Sequence, residues 1–193
     1  MAGRIRFHSA QQIFDAFPTA AEEIQARPRD ERPEDFALSL IGKGDRFEAI
    51  VYAAYLLPRR EAVWWGCQCL RALQEQRNPD ALLAAEAWVR DPEEESRRAA
   101  LEIWQEGDRA QSATWLAFAA AHSGGNIAPP AHPPRTPAPH MTALGVKSAM
   151  ILALVAKPPA EQKAWMRACV EACVRFGQGG DAKVIEPSQP PRR

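Results

Sequence analysis

The chain has 193 residues, and its 24 basic and 24 acidic side chains give a formal net charge of zero. Phosphate binding normally requires a net basic domain, so this balance argues against a nucleic-acid-binding protein. Apolar residues make up 46% of the chain, which excludes wholesale disorder. A chain of this length is expected to form one domain that buries its own core.

The zero net charge conceals two unequal halves. Residues 1–125 hold 15 basic and 20 acidic side chains, whereas residues 126–193 hold 9 basic and 4 acidic ones. This asymmetry predicts either two halves that attract each other weakly or an acidic face for a basic partner.

Alanine is the most abundant residue, with 36 copies against 21 Val, Ile and Thr, which favours helices over strands. Three short helices are predicted first. Ser9 can cap a helix through Phe17, and the Thr19-x-x-Glu22 spacing is typical of a capping box. A third helix is predicted from Pro33 to the glycines at 42 and 44.

The helical pattern strengthens from Asp45. Apolar residues recur at the spacing of one helix face up to Leu57, and Pro58 then suits the first turn of the next helix. That next helix, predicted over about 59–77, is apolar on two sides and is expected to be the most buried one.

Further helix starts are predicted where a capping residue precedes a proline. Asn78-Pro79 and Asp91-Pro92 each place a capping side chain before a proline, and later helices are predicted from Ser112, over 143–156 and over 159–176. The short turns between them predict an all-α fold, an irregular array of antiparallel helical hairpins arranged as a bundle or a short solenoid.

A Pro-rich segment at 126–142 interrupts the helices. Six of the 17 prolines lie within residues 128–140, which excludes regular helix there and leaves either a disordered linker or an ordered strap over aromatic side chains. We predict one helical domain over 1–176 that contains this segment. The polar tail at 177–193 is expected to be disordered.

No pattern in the sequence indicates a catalytic, cofactor or metal site. Cys67 and Cys69 lie about 200° apart on a helix, and no histidine stands at ligand spacing, so the four cysteines are expected in the core. Nucleophile-elbow, phosphate-loop and zinc-protease motifs are lacking, so we expect no enzyme and no cofactor. The absence of a secretory signal and of a long apolar run predicts a cytoplasmic protein without membrane insertion.

The segment LPRREAVWW, residues 57–65, carries the most unusual pattern. Arg59 and Arg60 stand in the first turn of a helix, where the helix dipole opposes each by about 0.3–1 kcal/mol. One expected compensation is a set of salt bridges to nearby carboxylates. The candidate carboxylates are Asp45, Glu48 and Asp91.

The other expected compensation is an anion or a partner carboxylate beside Trp64 or Trp65, as at interface hot spots. The two tryptophans point about 100° apart on a helix, so one should pack inside and the other should lie between helices or at a surface. We therefore take Arg59, Arg60, Trp64 and Trp65 as the candidate interaction residues.

The LPRREAVWW string, followed by Cys67 and later by SGGNIAPP at 123–130, resembles an uncharacterised bacterial all-helical family. The resemblance covers about residues 9–176. Members of that family accompany type VI secretion genes, so the resemblance implies an accessory or adaptor role and carries over no catalytic residue.

Together, these patterns predict a non-catalytic protein–protein interaction module with a protein partner. The alternative is a small anionic-ligand-binding protein, or an enzyme of unknown reaction, that uses Arg59 and Arg60. A self-associating structural subunit is the third possibility.

Overall fold

The computed structural model describes residues 3–43, 47–74, 78–129 and 131–187, and within these residues it contains helices and no strands. The predicted all-α fold is confirmed. The helices are α1 (Ala10–Ala16), α2 (Pro18–Glu23), α3 (Pro33–Lys43), α4 (Glu48–Leu56), α5 (Arg59–Ala72), α6 (Pro79–Arg90), α7 (Glu94–Glu106), α8 (Ser112–Ala121), α9 (Met141–Val155) and α10 (Pro159–Gly177).

Small residues allow the central helices to pack closely. Helix α8 contacts α5, α6, α7 and α9, and almost all of its residues are buried. A Cβ atom added to Gly145 on α9 would lie only 2.8 Å from the Ala119 side chain on α8. One added to Gly66 on α5 would lie 2.7 Å from Leu116. The many alanines therefore serve helix packing as well as helix propensity.

The last helix returns to the early part of the chain. Helix α10 packs against α3 and α4 as well as against α9 and α5. In a solenoid each unit contacts only its neighbours along the chain, so this closure makes the fold an irregular bundle. The rings of Phe14 and Phe36 pack on Tyr52, with centroids 5.9 and 4.9 Å away, and attach α1 and α3 to the buried α4.

Several helix boundaries differ from the sequence prediction. Helix α2 begins at Pro18, and the Thr19 hydroxyl lies 3.1 Å from the Tyr55 hydroxyl instead of capping the helix. A tertiary hydrogen bond thus replaces the predicted capping box. Asn78 does cap α6, since its Oδ1 accepts from the Ala81 amide at 3.3 Å. Helix α5 ends at Ala72, and the predictions for residues 44–46 and 75–77 lie outside the described residues.

The described part of the Pro-rich segment is a hydrogen-bonded strap on the surface. Asn126 Oδ1 accepts from the amides of Ala128 at 3.0 Å and Arg135 at 2.8 Å. The Ile127 amide donates to the Arg135 carbonyl at 2.9 Å, and Pro137 is buried. The described part of the segment is therefore held by hydrogen bonds within itself.

The first part of the expected disordered tail lies against the bundle. Ala182 and Val184 are buried, and the Gly180 amide donates to the Arg175 carbonyl at 3.0 Å. Three apolar side chains among polar ones, Ala182, Val184 and Ile185, give no helical periodicity, which is why the sequence predicted disorder for 177–193. Residues 188–193 lie outside the described part. In the part of the chain that the structure describes, every helix is too short or too polar to span a lipid bilayer.

Candidate functional site

The two adjacent tryptophans of α5 enter different environments. Trp65 is fully buried, and its indole N–H donates to the Cys169 carbonyl on α10 at 2.9 Å. Trp64 is half-buried and faces a surface cleft. The predicted division between an inward and an outward tryptophan is therefore confirmed, and only Trp64 remains available to a partner.

The two arginines of the first turn donate to the carboxyl ends of neighbouring helices. Arg60 Nε donates to the Val89 carbonyl at 2.7 Å and Nη2 to the Arg90 carbonyl at 3.4 Å, at the end of α6. Arg59 Nη1 donates to the Ser123 carbonyl at 2.6 Å, just after α8. Helix ends carry partial negative charge, so they compensate the unfavourable placement of both arginines at the start of α5.

The described residues do not form the salt bridges that the sequence predicted for Arg59 and Arg60. Among the described residues Arg59 and Arg60 form no ion pair, and neither Glu48 nor Asp91 is their partner. Asp45 lies outside the described residues. The packing of α5 brings its first turn to the ends of α6 and α8, where carbonyl groups are closer than carboxylates.

Arg60 and Trp64 line a cleft of about 390 Å³, which we call the Trp64 cleft. This volume falls within the range of small-molecule and side-chain pockets. The cleft is formed where α5, α6, the end of α10 and the amino-terminal segment meet. Its lining residues are Arg4, Arg60, Glu61, Trp64, Glu86, Val89, Arg90 and Phe176.

The amino-terminal segment and the end of α10 together build one wall of the Trp64 cleft. The Arg4 guanidinium lies over the Phe176 ring, 4.1 Å from its centroid. The same group donates to the carbonyls of Phe176 at 2.6 Å and Gly180 at 3.1 Å. Arg4 and Phe176 carry no signal in the sequence, because they lie 172 residues apart and neither belongs to a motif.

The charges of the cleft are only partly paired. Three guanidinium groups face two carboxylates, and one of these, Glu86, is already bound by Arg71 at 2.5 and 2.6 Å. That bidentate hydrogen bond raises the pKa of Arg71. Arg90 and Glu61 form no hydrogen bond or ion pair within the described residues. The cleft thus offers a free cation, a free carboxylate and an aromatic wall.

A second cavity of about 440 Å³, the Arg59 cavity, lies on the other side of the first turn of α5. Arg6, Arg59, Arg60 and Glu61 line it, together with the rings of three aromatic residues. No side chain caps the start of α5 in the described structure. The rings belong to Phe7, Phe17 and Tyr55.

The two segments that carry the sequence resemblance meet in space. Arg59 binds Ser123, and the buried Arg97 donates to the carbonyls of Ala121 at 2.8 Å and Asn126 at 2.9 Å. Glu94 holds Arg97 with two hydrogen bonds of 2.7 Å. Gly125 has φ 66°, and a Cβ atom there would lie 2.6 Å from Arg97 Nε. The SGGN part of the motif therefore closes a loop over a buried arginine.

All four cysteines lie in the core. Burial raises the pKa of the Cys67 and Cys173 thiols well above the ordinary value. Within the described ranges, no three His, Cys, Asp or Glu side chains are grouped so that they could hold a metal ion.

The fold and the site define an all-α irregular bundle with a positively charged, aromatic-walled cleft. The chain belongs to the family of unknown function DUF6931, whose model matches residues 36–176. The match includes α4 to α9 and most of α3 and α10, and it leaves out Arg4. No curated protein and no solved structure matches the chain.

Proposed function

We propose that this protein is a non-catalytic, cytoplasmic protein–protein interaction module whose docking site is the Trp64 cleft. The observation that carries this proposal is the exposure of Trp64 beside groups that have no partner. Its indole N–H, the Arg90 guanidinium and the Glu61 carboxylate all lack hydrogen bonds within the described residues. Tryptophan and arginine are the residues most enriched at the energetic centres of interfaces.

The fixed walls of the cleft support the same proposal. Arg4 and Arg60 are held by backbone carbonyls, and Phe176 is buried beneath Arg4. A partner that enters the cleft therefore meets side chains whose conformations are already restricted. This lowers the entropic cost of binding.

The family that the LPRREAVWW segment resembles suggests the cellular system in which the module acts. We propose that the module acts as an accessory or adaptor protein of a bacterial type VI secretion system. Its partner would then be encoded near its own gene, which makes a defined set of candidates available for testing.

Affinity capture with the products of the neighbouring genes tests the module. We expect Trp64→Ala and Arg90→Ala to lower the amount of captured partner at least about tenfold, as for hot-spot residues. Leu83→Ala is the matched control, because Leu83 is exposed on the same helix as Arg90 but does not line the cleft. Undiminished capture by Trp64→Ala, or no complex with any of these products, would overturn the proposal.

A second candidate function has one specific observation in its favour. The Arg59 cavity holds Arg59, Arg60 and an acidic side chain together, as a receptor or enzyme for a small anion would require. Calorimetric titration with inorganic phosphate tests this alternative. Binding that is lost in Arg6→Gln and kept in Arg135→Gln would favour it, whereas no heat of binding at millimolar phosphate would remove it.

A further inference from the structure

The described residues neutralise the positive charge in the Trp64 cleft only in part. Arg4 and Arg60 donate to carbonyl groups at the ends of α10 and α6, which carry only partial negative charge. Of the two carboxylates, Glu86 is taken by Arg71 from outside the lining. Three guanidinium groups therefore face one available carboxylate, Glu61, and two helix ends that each carry about half a negative charge. The remaining excess is about one positive charge, and an occupant with a single negative charge would balance it.

Unused donors point to the same kind of occupant. Arg60 keeps Nη1 free, and Arg4 keeps Nε and Nη2 free, within the described residues. Within the same described residues, every donor of the exposed Arg90 is free. Planar guanidinium groups match the two oxygen atoms of a carboxylate, often with two parallel hydrogen bonds.

The remaining surface of the cleft suits an apolar ring. Trp64 forms an aromatic wall, the Arg4 guanidinium covers the ring of the buried Phe176, and Val89 adds an apolar residue to the lining. Aromatic pairs gain energy beyond that of simple area burial, and a cleft of about 390 Å³ has room for a ring together with a neighbouring side chain. An acidic group alone would leave this surface without a partner.

Resting on the proposed function, we infer that the Trp64 cleft recognises a partner peptide in which an acidic side chain stands next to an aromatic one. The aromatic side chain packs against Trp64, beside the Arg4 guanidinium that covers the Phe176 ring. The carboxylate accepts hydrogen bonds from the free donors of Arg90 and Arg60. A phosphorylated side chain is the weaker match, because its second negative charge exceeds the single positive excess and faces the unpaired Glu61.

Binding of two blocked dipeptides to the full chain tests this inference. The probes are Ac-Phe-Glu-NH2 and Ac-Phe-Gln-NH2, which differ only in the charged group. The indole N–H resonance of Trp64, assigned with Trp64→Phe, reports binding by NMR. We expect both peptides to shift this resonance and the glutamate peptide to bind about tenfold more tightly, with the preference shrinking at high salt.

Matched variants link the preference to the cleft. Arg90→Gln should reduce the preference for glutamate to about threefold or less, since it removes the free guanidinium. Arg135→Gln should keep the full preference, because Arg135 is exposed in the strap and its side chain has no described partner.

Equal affinity for the two peptides, no shift of the Trp64 resonance, or an unchanged preference in Arg90→Gln would overturn the inference. Tighter binding of Ac-Phe-pSer-NH2 than of the glutamate peptide would overturn it in favour of a phosphopeptide site. If partner capture depends on Trp64 while the two peptides bind equally, only this inference fails. If capture is also insensitive to Trp64, the proposed module fails as well.

Discussion

Two regions of this bundle place arginine against the carboxyl end of a helix, with different results. Arg97 is only 3% exposed, and it binds Glu94 and two carbonyls near the end of α8. Arg60 is exposed, and it binds two carbonyls at the end of α6 but no described carboxylate. The first arrangement satisfies the guanidinium and stabilises the fold, whereas the second leaves charge and donors available for binding.

The largest expected loss of stability follows from removing Arg97. Arg97→Met leaves the Ala121 and Asn126 carbonyls without their buried donor, so the free energy of unfolding should fall by about 3 kcal/mol or more. Denaturant titration measures this change. Arg98→Met is the control, since the exposed Arg98 also binds Glu94 and should cost less than about 1 kcal/mol. Equal losses in the two variants would contradict the structural role of Arg97.

The loop over Arg97 gives a second, smaller test. Gly125→Ala forces a side chain into the left-handed conformation and against the guanidinium, which should cost about 2 kcal/mol. Gly124→Ala should change stability by less than about 1 kcal/mol, because a Cβ atom there meets nothing within 4 Å. Thermal unfolding of the pair distinguishes them, and a reversed order would refute the described loop packing.

The Trp64 cleft should respond in binding more than in stability. Trp64→Ala removes a half-buried side chain and should lower the free energy of unfolding by only about 1 kcal/mol, while partner capture is lost. Circular dichroism melting of the same sample used for capture checks both. A loss as large as that of Arg97→Met would show that Trp64 is a core residue.

The smallest expected effect is a pH dependence at the Arg97 region. Hydrogen bonds from Arg97, and then from Arg98, lower the pKa of Glu94 from 4.5 to about 2. The stability from this pairing is complete above pH 4.5 and is lost as the pH falls towards 2, because the unfolded chain then binds the proton first. Solvent screens the half-exposed Glu94, so we expect about 1 kcal/mol.

Unfolding measured between pH 6 and pH 3 tests this pairing. Glu94→Gln should remove this part of the slope, whereas Glu102→Gln, on the exposed face of the same helix, should keep it. An identical slope in wild type and Glu94→Gln would contradict the pairing.

The sequence predicted the helices well because their signals are local. Alanine content, proline and asparagine at helix starts, and the apolar stripes placed most elements within a few residues. It also predicted that Trp64 and Trp65 separate, since 100° per residue is a property of any helix. It failed at Thr19, where a tertiary hydrogen bond to Tyr55 outcompetes a local cap.

The candidate site was only half visible in the sequence. Arg60 and Trp64 stood out because a cation at a helix start is locally unfavourable. Arg4, Arg90 and Phe176 carried no such signal, because each is ordinary in its own segment and they meet only after folding. The sequence alone therefore determined the all-α class, the helix positions and the anomaly at residues 57–65. Tertiary structure decided which helix ends face the arginines and which tryptophan stays at the surface, since packing between distant segments sets both.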